Sequence, residues 1–176
     1  ASLPPKVMVE LEQTFDAPVI EAYGMTEAAH QMACNPLPRG TQKPGSVGLA
    51  AGPKVSIMNQ QGDHLAVGEI GEVVIQGENV TAGYLNNETA NATAYTDGWF
   101  RTGDAGYVDE DGYYYLFDRI KDMIVTGGEN VYPAEVENAV FGCEGVADVA
   151  VFGVPDEKWG EAVKACVVRK PGSDVS

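Results

Sequence analysis

Basic residues are scarce in this sequence. Its 176 residues carry 11 Lys and Arg against 26 Asp and Glu, with 2 His, for a formal net charge of -15. Such a surface repels phosphate backbones, which argues against nucleic acid and anionic membranes as partners. A chain this acidic that handled a nucleotide would need local basic groups, a magnesium ion or outside help. Cysteine is scarce too. Cys34, Cys143 and Cys166 stand far apart and are odd in number. They make no metal-ligand spacing and no evident disulfide framework, so the expectation is buried thiols in a reducing cytoplasm. No uninterrupted apolar run is long enough to span a bilayer. The amino terminus, ASLPPKVMVELEQ, lacks the basic start and apolar stretch of a secretory signal. It also lacks an initiating methionine, which reads as a processed or excised product.

What is present is globular. Hydrophobic residues make up 44% of the chain, enough for a packed core in one ordinary domain or two small ones. Val7, Leu11 and Phe15 have helical spacing. APVIEAY, 17–23, reads as a short buried strand. Residues 35–53 are rich in Pro and Gly and read as loop. The pattern then turns to β. KVSIMN alternates, QGD turns, GEVVIQG is β-branched, and GYVDEDGYYYLFD reads as a hairpin turning at Asp109 to Gly112. Short strands separated by glycine turns point to a small barrel or sandwich.

Beyond Arg119 the pattern changes again. MIVTGG is a short apolar segment, and YPAEVENAVFGCEG reads as a helix. Pro133 suits its first turn, Glu135 and Glu137 suit the positive end of its dipole, and Val136, Ala139, Val140 and Cys143 form one stripe. VADVAVFGVPD and AVKACVVRK follow as strands, a β-α-β-β order typical of a small α+β unit. The closing GSDVS reads as the start of a further helix.

The stretch IEAYGMTEAAH carries the strongest local chemistry. Tyr23 can stack on a purine or fill a core. Gly24 permits close backbone approach. Thr26 can donate to a phosphate oxygen, and Glu27 can hold Mg²⁺, which prefers one or two carboxylates plus phosphates. In GWFRTGD, Asp104 can accept two hydrogen bonds from a ribose or cap a turn. Charged hydrogen bonds of that kind are worth roughly 1.5–3 kcal/mol each. GGEN lacks the GxxxxGK(S/T) pattern, and the helix after it begins with proline and acids. It reads as a loop whose backbone packs against a neutral, extended ligand.

YGMTE, GWFRTGD, DRIKDMIVTGGENVYPAEVE and GVPDEKWGE, in this order, resemble the acyl-adenylate-forming enzymes. These include the acyl-CoA synthetases, the adenylation domains of peptide synthetases and the firefly-type luciferases. The likeness covers nearly the whole chain. GGENVYPAEVE and PDEKWGE look most like fatty acyl- or aryl-CoA ligases, and EAYGMTEAAHQMACNPLP looks more like the oxalate-CoA ligase branch. The resemblance implies a two-step reaction, in which ATP and a carboxylic acid give acyl-AMP and pyrophosphate and coenzyme A then displaces AMP. It implies that Tyr23 and Gly24 border adenine, Thr26 contacts phosphate, Glu27 positions Mg²⁺, and Asp104 and Arg119 hold the ribose. Lys121 would lie at a hinge, the GGENVYP loop from Gly127 to Pro133, with Gly128 in it, would line the pantetheine channel, and Trp159 would either stack on the CoA adenine or pack at the small-domain surface. Glu21 and Ala22 fall on the acyl-pocket side of the motif. His30 would either pair with the far carboxylate of a diacid such as oxalate or cap and pack at a helix start.

The implied fold is α+β. Residues 1–118 would be the end of a large domain's α/β core with a distorted β-barrel from about 40 to 118, 119–121 the hinge, and 122–176 the first part of a small mobile domain. The family's phosphate loop does not occur here, and its adenylating lysine, in a GK context, would lie beyond Ser176; Lys164 and Lys170 are not in that context. The chain alone is therefore not expected to adenylate. Two alternatives stay open: an adenylation domain that loads a carrier protein, and a non-catalytic nucleotide-binding fragment.

Overall fold

A computed structural model describes Leu3, residues 5–37 and residues 41–173. The chain divides into two compact units, one running to Leu116 and the other starting at Phe117. The first contains helix α1 (Pro5–Phe15), strand β1 (Ala22–Met25), a turn of 3₁₀ helix (Thr26–Ala28), β2 (His30–Cys34), β3 (Leu49–Ala50), β4 (Lys54–Met58), β5 (Gly71–Gln76), α2 (Glu88–Ala94), β6 (Tyr95–Thr96) and β7 (Trp99–Val108). β8 (Tyr114–Arg119) carries the chain into the second unit. There follow a 3₁₀ turn (Ile120–Asp122), β9 (Ile124–Thr126), β10 (Glu129–Val131), α3 (Pro133–Phe141), β11 (Val146–Asp156) and β12 (Gly160–Arg169). The class is α+β, as the pattern implied.

In the first unit β1, β2 and β3 form one antiparallel sheet and β4 to β8 another. β5 lies along one edge of β7, leaving β6 and β8 to share the other. The larger sheet is curled into a half-barrel. In a flat sheet β4 and β8 would stand three strand spacings apart, about 14 Å. Yet the Tyr114 hydroxyl, on β8, donates to the Val55 carbonyl on β4 at 2.7 Å. Met32, Ile57, Val73, Ile75 and Phe100 fill the space so enclosed, each almost wholly buried. The Asp109–Gly112 turn between β7 and β8 is as the sequence predicts, closed by Gly112 N–H to Asp109 O at 3.0 Å.

The second unit is a four-stranded antiparallel sheet, ordered β10-β9-β12-β11. Ile124, Val146 and Val151 are buried in it. Glu137 of α3 accepts the Val151 N–H of β11 at 2.8 Å, which ties helix to sheet.

Several local expectations are corrected. The strand expected over 17–23 starts at Ala22, because Pro18 lies ahead of it and Pro cannot donate to a ladder. In α1 the buried residue is Met8, and Phe15, on the last helical position, is exposed. Helix α3 stops at Phe141, so Cys143 leaves the expected stripe and is exposed. Cys166 is exposed on β12 and Cys34 is half-buried, so the thiols are not the buried set expected. α2, β2, β3, β6 and β10 were not expected, and β3 falls inside the 35–53 stretch read as loop, where Cys34 and Ala33 of β2 pair with it. The helix start read in GSDVS, 172–176, shows a turn at Gly172, and residues 174–176 lie outside the described residues.

Candidate active site

The YGMTE stretch is the end of β1 and the start of a hairpin turn. β1 and β2 pair antiparallel, and the 3₁₀ turn Thr26–Ala28 joins them. Ala29 and His30 both have positive φ, 50° and 88°. Such conformations cost non-glycine residues about 1–3 kcal/mol each and gather at functional sites. Gly24 is demanded by the same turn, since a methyl there would lie 2.0 Å from the His30 carbonyl oxygen. His30 opens β2 and is exposed; it does not cap a helix.

GWFRTGD lies in β7 from Trp99 onward, and its TGD is a β-bulge. Glu72 of β5 pairs with Ala105, but Val74 pairs with Arg101, so β7 carries extra residues there. Gly103 takes φ 75° at the bulge. Thr102, 3% exposed, donates its hydroxyl to Val73 O at 2.7 Å and accepts the Asp104 N–H at 3.1 Å. Glu72 braces the other side, accepting Gly103 N–H at 2.9 Å and Arg101 Nη1 at 2.5 Å. A bulge re-aims the side chain after it, and Asp104 is the one re-aimed.

That aim brings the two motifs together. The Tyr23 hydroxyl, on β1, donates to Asp104 Oδ2. The Tyr23 ring is itself packed in the core, 8% exposed. Glu27 follows on the same hairpin, half-buried, and its Oε1 accepts the Tyr84 hydroxyl at 2.7 Å. Thr26 is exposed beside it.

Residues 79–84 strap the turn from outside. Asn79 Nδ2 donates to Ala28 O at 2.7 Å, and Thr81 N–H donates to Glu27 O at 2.7 Å. Tyr95 donates its hydroxyl to Thr81 O. The Tyr84 backbone is held from α2 by Asn91, whose Oδ1 accepts Tyr84 N–H at 2.7 Å and whose Nδ2 donates to Tyr84 O at 2.9 Å.

Glu21, read as lining the acyl side, is a strut. It is 6% exposed, and its carboxylate accepts Leu3 N–H at 3.1 Å and Gly45 N–H at 3.2 Å. Burial pushes its carboxyl above the usual range, and the two N–H bonds only partly offset this. Its neighbour Ala22 points outward and is exposed.

No group of three or more His, Cys, Asp or Glu that could hold a metal by itself occurs among the described residues. Glu27 is a lone acid with one oxygen engaged by Tyr84 and the other meeting no described side chain. That suits a hard cation carried mainly by phosphate oxygens and water, such as Mg²⁺, and does not suit a self-contained metal cage.

In the second unit Arg119 and Lys121 are exposed at and just after the end of β8. The Asp118 carboxylate accepts Ala134 N–H, at the start of α3, at 3.1 Å. Gly127 and Gly128 form the β9–β10 turn, with φ 60° and 89°. Gly127 lies so close to Trp159 that a methyl there would meet Cε3 at 2.9 Å, whereas Gly128 faces open space. Trp159 is 50% exposed, with the Lys158 ammonium 4.3 Å from its ring centroid.

Known proteins match this chain over its whole length. A family model described as AMP-binding enzyme matches residues 1–85, and one described as AMP-binding enzyme C-terminal domain matches residues 135–176. The chain belongs to the AMP-binding enzyme family. It is 51% identical over 176 residues to a probable CoA ligase, CCL9, from Humulus lupulus, covering 99% of this chain and 34% of that protein. It is 48% identical to an oxalate–CoA ligase from Arabidopsis thaliana, covering 100% of this chain and 34% of that one. Among solved structures, ATP-bound MatB from Rhodopseudomonas palustris matches with a TM-score of 0.93 at 37% identity, covering 100% of this chain and 35% of that chain. The chain thus spans about a third of the length of the relatives it matches.

Within this AMP-binding enzyme segment the sequence motifs name Tyr23, Thr26, Glu27 and Asp104, all in the first unit. They do not name Tyr84, Asn79 or Asn91. A tyrosine 57 residues from Glu27 carries no local spacing signal, and TAGYLNNE reads as turn.

Proposed function

We propose that this chain is the part of an AMP-forming acid–CoA ligase that holds the adenylate and serves both half-reactions. The observation that supports this most directly is the Tyr23–Asp104 hydrogen bond, which joins the YGMTE and TGD motifs beside Glu27. The bulge in β7 leaves the Asp104 carboxylate to accept ribose hydroxyls. Tyr23 and Gly24 border the adenine, and the Tyr23 hydroxyl keeps the Asp104 carboxylate in place. Thr26 donates to an oxygen of the α-phosphate. Glu27, with its free oxygen, holds Mg²⁺, which when bound offsets charge on the phosphate oxygens.

In the first half-reaction the acid's carboxylate oxygen attacks the α-phosphorus, and pyrophosphate leaves. In the second the sulfur of CoA attacks the acyl carbon, and AMP leaves. Between them the chain turns about a hinge at 119–121, with Lys121 in it. The Gly127–Gly128 turn then lines the pantetheine path, and Trp159, half-exposed, offers its ring to the CoA adenine. The three cysteines are unpaired, which supports a cytoplasmic site of action. No helix among the described residues is long and apolar enough to cross a membrane.

The first acid to test is a small diacid of the oxalate type, because two oxalate–CoA ligases, at 48% and 44% identity, are among the relatives. The test is acid-dependent exchange of labelled pyrophosphate into ATP by the full-length ligase, followed by thioester formation with free CoA. Exchange and thioester formation are expected. Exchange without any transfer to free CoA would overturn the ligase reading, and no exchange with any acid would overturn adenylation.

A further inference from the structure

The acid given to magnesium is held by a residue outside every motif of the sequence. We propose that Tyr84 is a positioning residue for Glu27, fixing one carboxylate oxygen so that the other is presented to the metal–nucleotide complex. This rests on the assignment of Glu27 to magnesium.

The geometry carries it in three links. The Tyr84 hydroxyl donates to Glu27 Oε1 at 2.7 Å, a charge-assisted bond that leaves Oε2 and its lone pairs free. Tyr84 cannot drift, because Asn91 binds its N–H and its C=O with the two ends of one amide. The same segment also fixes the backbone beneath the acid, through Thr81 N–H to Glu27 O at 2.7 Å and Asn79 to Ala28 O at 2.7 Å. Burial does not explain the tyrosine. It is 38% exposed, and its ring is tilted against that of Phe100 at 6.5 Å between centroids. A free glutamate would lose rotamer freedom on meeting the metal. One already held by a phenol has lost it beforehand, which is preorganisation. Helix α2 thereby reaches Glu27 through Asn91 and Tyr84.

The test uses the full-length ligase with Mn²⁺ as the probe, its binding to the enzyme–ATP complex followed by water-proton relaxation. Metal-free AMP affinity is measured alongside. Tyr84→Phe is expected to weaken Mn²⁺ by about tenfold, the low end for partners that orient a metal-bound carboxylate, with AMP affinity unmoved. Asn91→Leu is expected to weaken Mn²⁺ in the same direction by a smaller factor. Glu27→Gln separates the two readings. If Glu27→Gln weakens Mn²⁺ and Tyr84→Phe does not, the positioning role is overturned while the metal assignment stands. If Glu27→Gln leaves Mn²⁺ binding unchanged, the metal assignment itself fails and the role of Tyr84 falls with it. Equal loss of Mn²⁺ and AMP in Tyr84→Phe would mark a merely structural tyrosine and overturn the proposal.

Discussion

Two residues of the hairpin turn have opposite tolerances. Gly24 has no room for a side chain, with the His30 carbonyl oxygen 2.0 Å from where its Cβ would be. Gly24→Ala is therefore expected to destabilise the protein by about 3 kcal/mol or more, read as a shift of the denaturant midpoint at constant slope. His30 is exposed, so truncating its side chain removes no packing, although its φ of 88° disfavours bulky and β-branched residues there. Comparing oxalate with hexanoate before and after His30→Ala tests whether it meets a second carboxylate. A loss of kcat/KM confined to oxalate, about tenfold or more, is the expected outcome. These contrasts were partly legible in the sequence, because a glycine amid YGMTE announces close backbone contact. The burial of Glu21 was not legible. Its partners Leu3 and Gly45 lie 18 and 24 residues away, and nothing in an acid beside a strand distinguishes a strut from a pocket wall.

Elements were read best where the pattern was strict. The β4, β5 and β7–β8 segments alternate or are β-branched, and all of them formed. α2 was missed because ETANATA has no apolar stripe; its start is set by Asn87, whose side chain accepts Ala90 N–H at 3.1 Å. β2 was missed because HQMAC looks like the start of a helix, while the turn before it reverses the chain through two positive φ values. The bulge in β7 has a further consequence. Thr102 serves two backbone groups through one hydroxyl, Val73 O and Asp104 N–H. Thr102→Val keeps the shape and orphans both, at a cost of about 1–3 kcal/mol in stability. It is also expected to weaken AMP binding, since the Asp104 backbone loses its anchor; unchanged AMP affinity in a folded Thr102→Val protein would count against the bulge as the device that aims Asp104.

Over the whole molecule, an excess of acid governs how stability responds to pH. Glu21 binds its proton more tightly folded than unfolded, because burial raises its pKa. Its contribution is therefore complete below the ordinary value of 4.5 and is lost as pH rises through the raised value. Compared with Glu21→Gln, the wild-type protein is expected to lose stability as pH climbs above 4.5, measured by urea unfolding at successive pH values. Asp109 behaves oppositely. Burial pushes it up, but the Lys43 ammonium at 2.5 Å and the N–H groups of Tyr113 and Asp111 outweigh that and hold it low. Its share is lost only as pH falls. The family, the sheet-rich α+β plan and a barrel between about 40 and 118 were legible from motif order and glycine turns; the contact that ties the curl together, the Tyr114 hydroxyl on the Val55 carbonyl, was not, because the two residues lie 59 apart in sequence. The proposed adenylate site turns on one carboxylate meeting one ribose. Equilibrium binding of AMP to the full-length ligase, before and after Asp104→Asn, measures that directly. A loss of about ten- to a hundredfold is predicted, from charged hydrogen bonds worth about 1.5–3 kcal/mol; AMP affinity equal in the two proteins would contradict it.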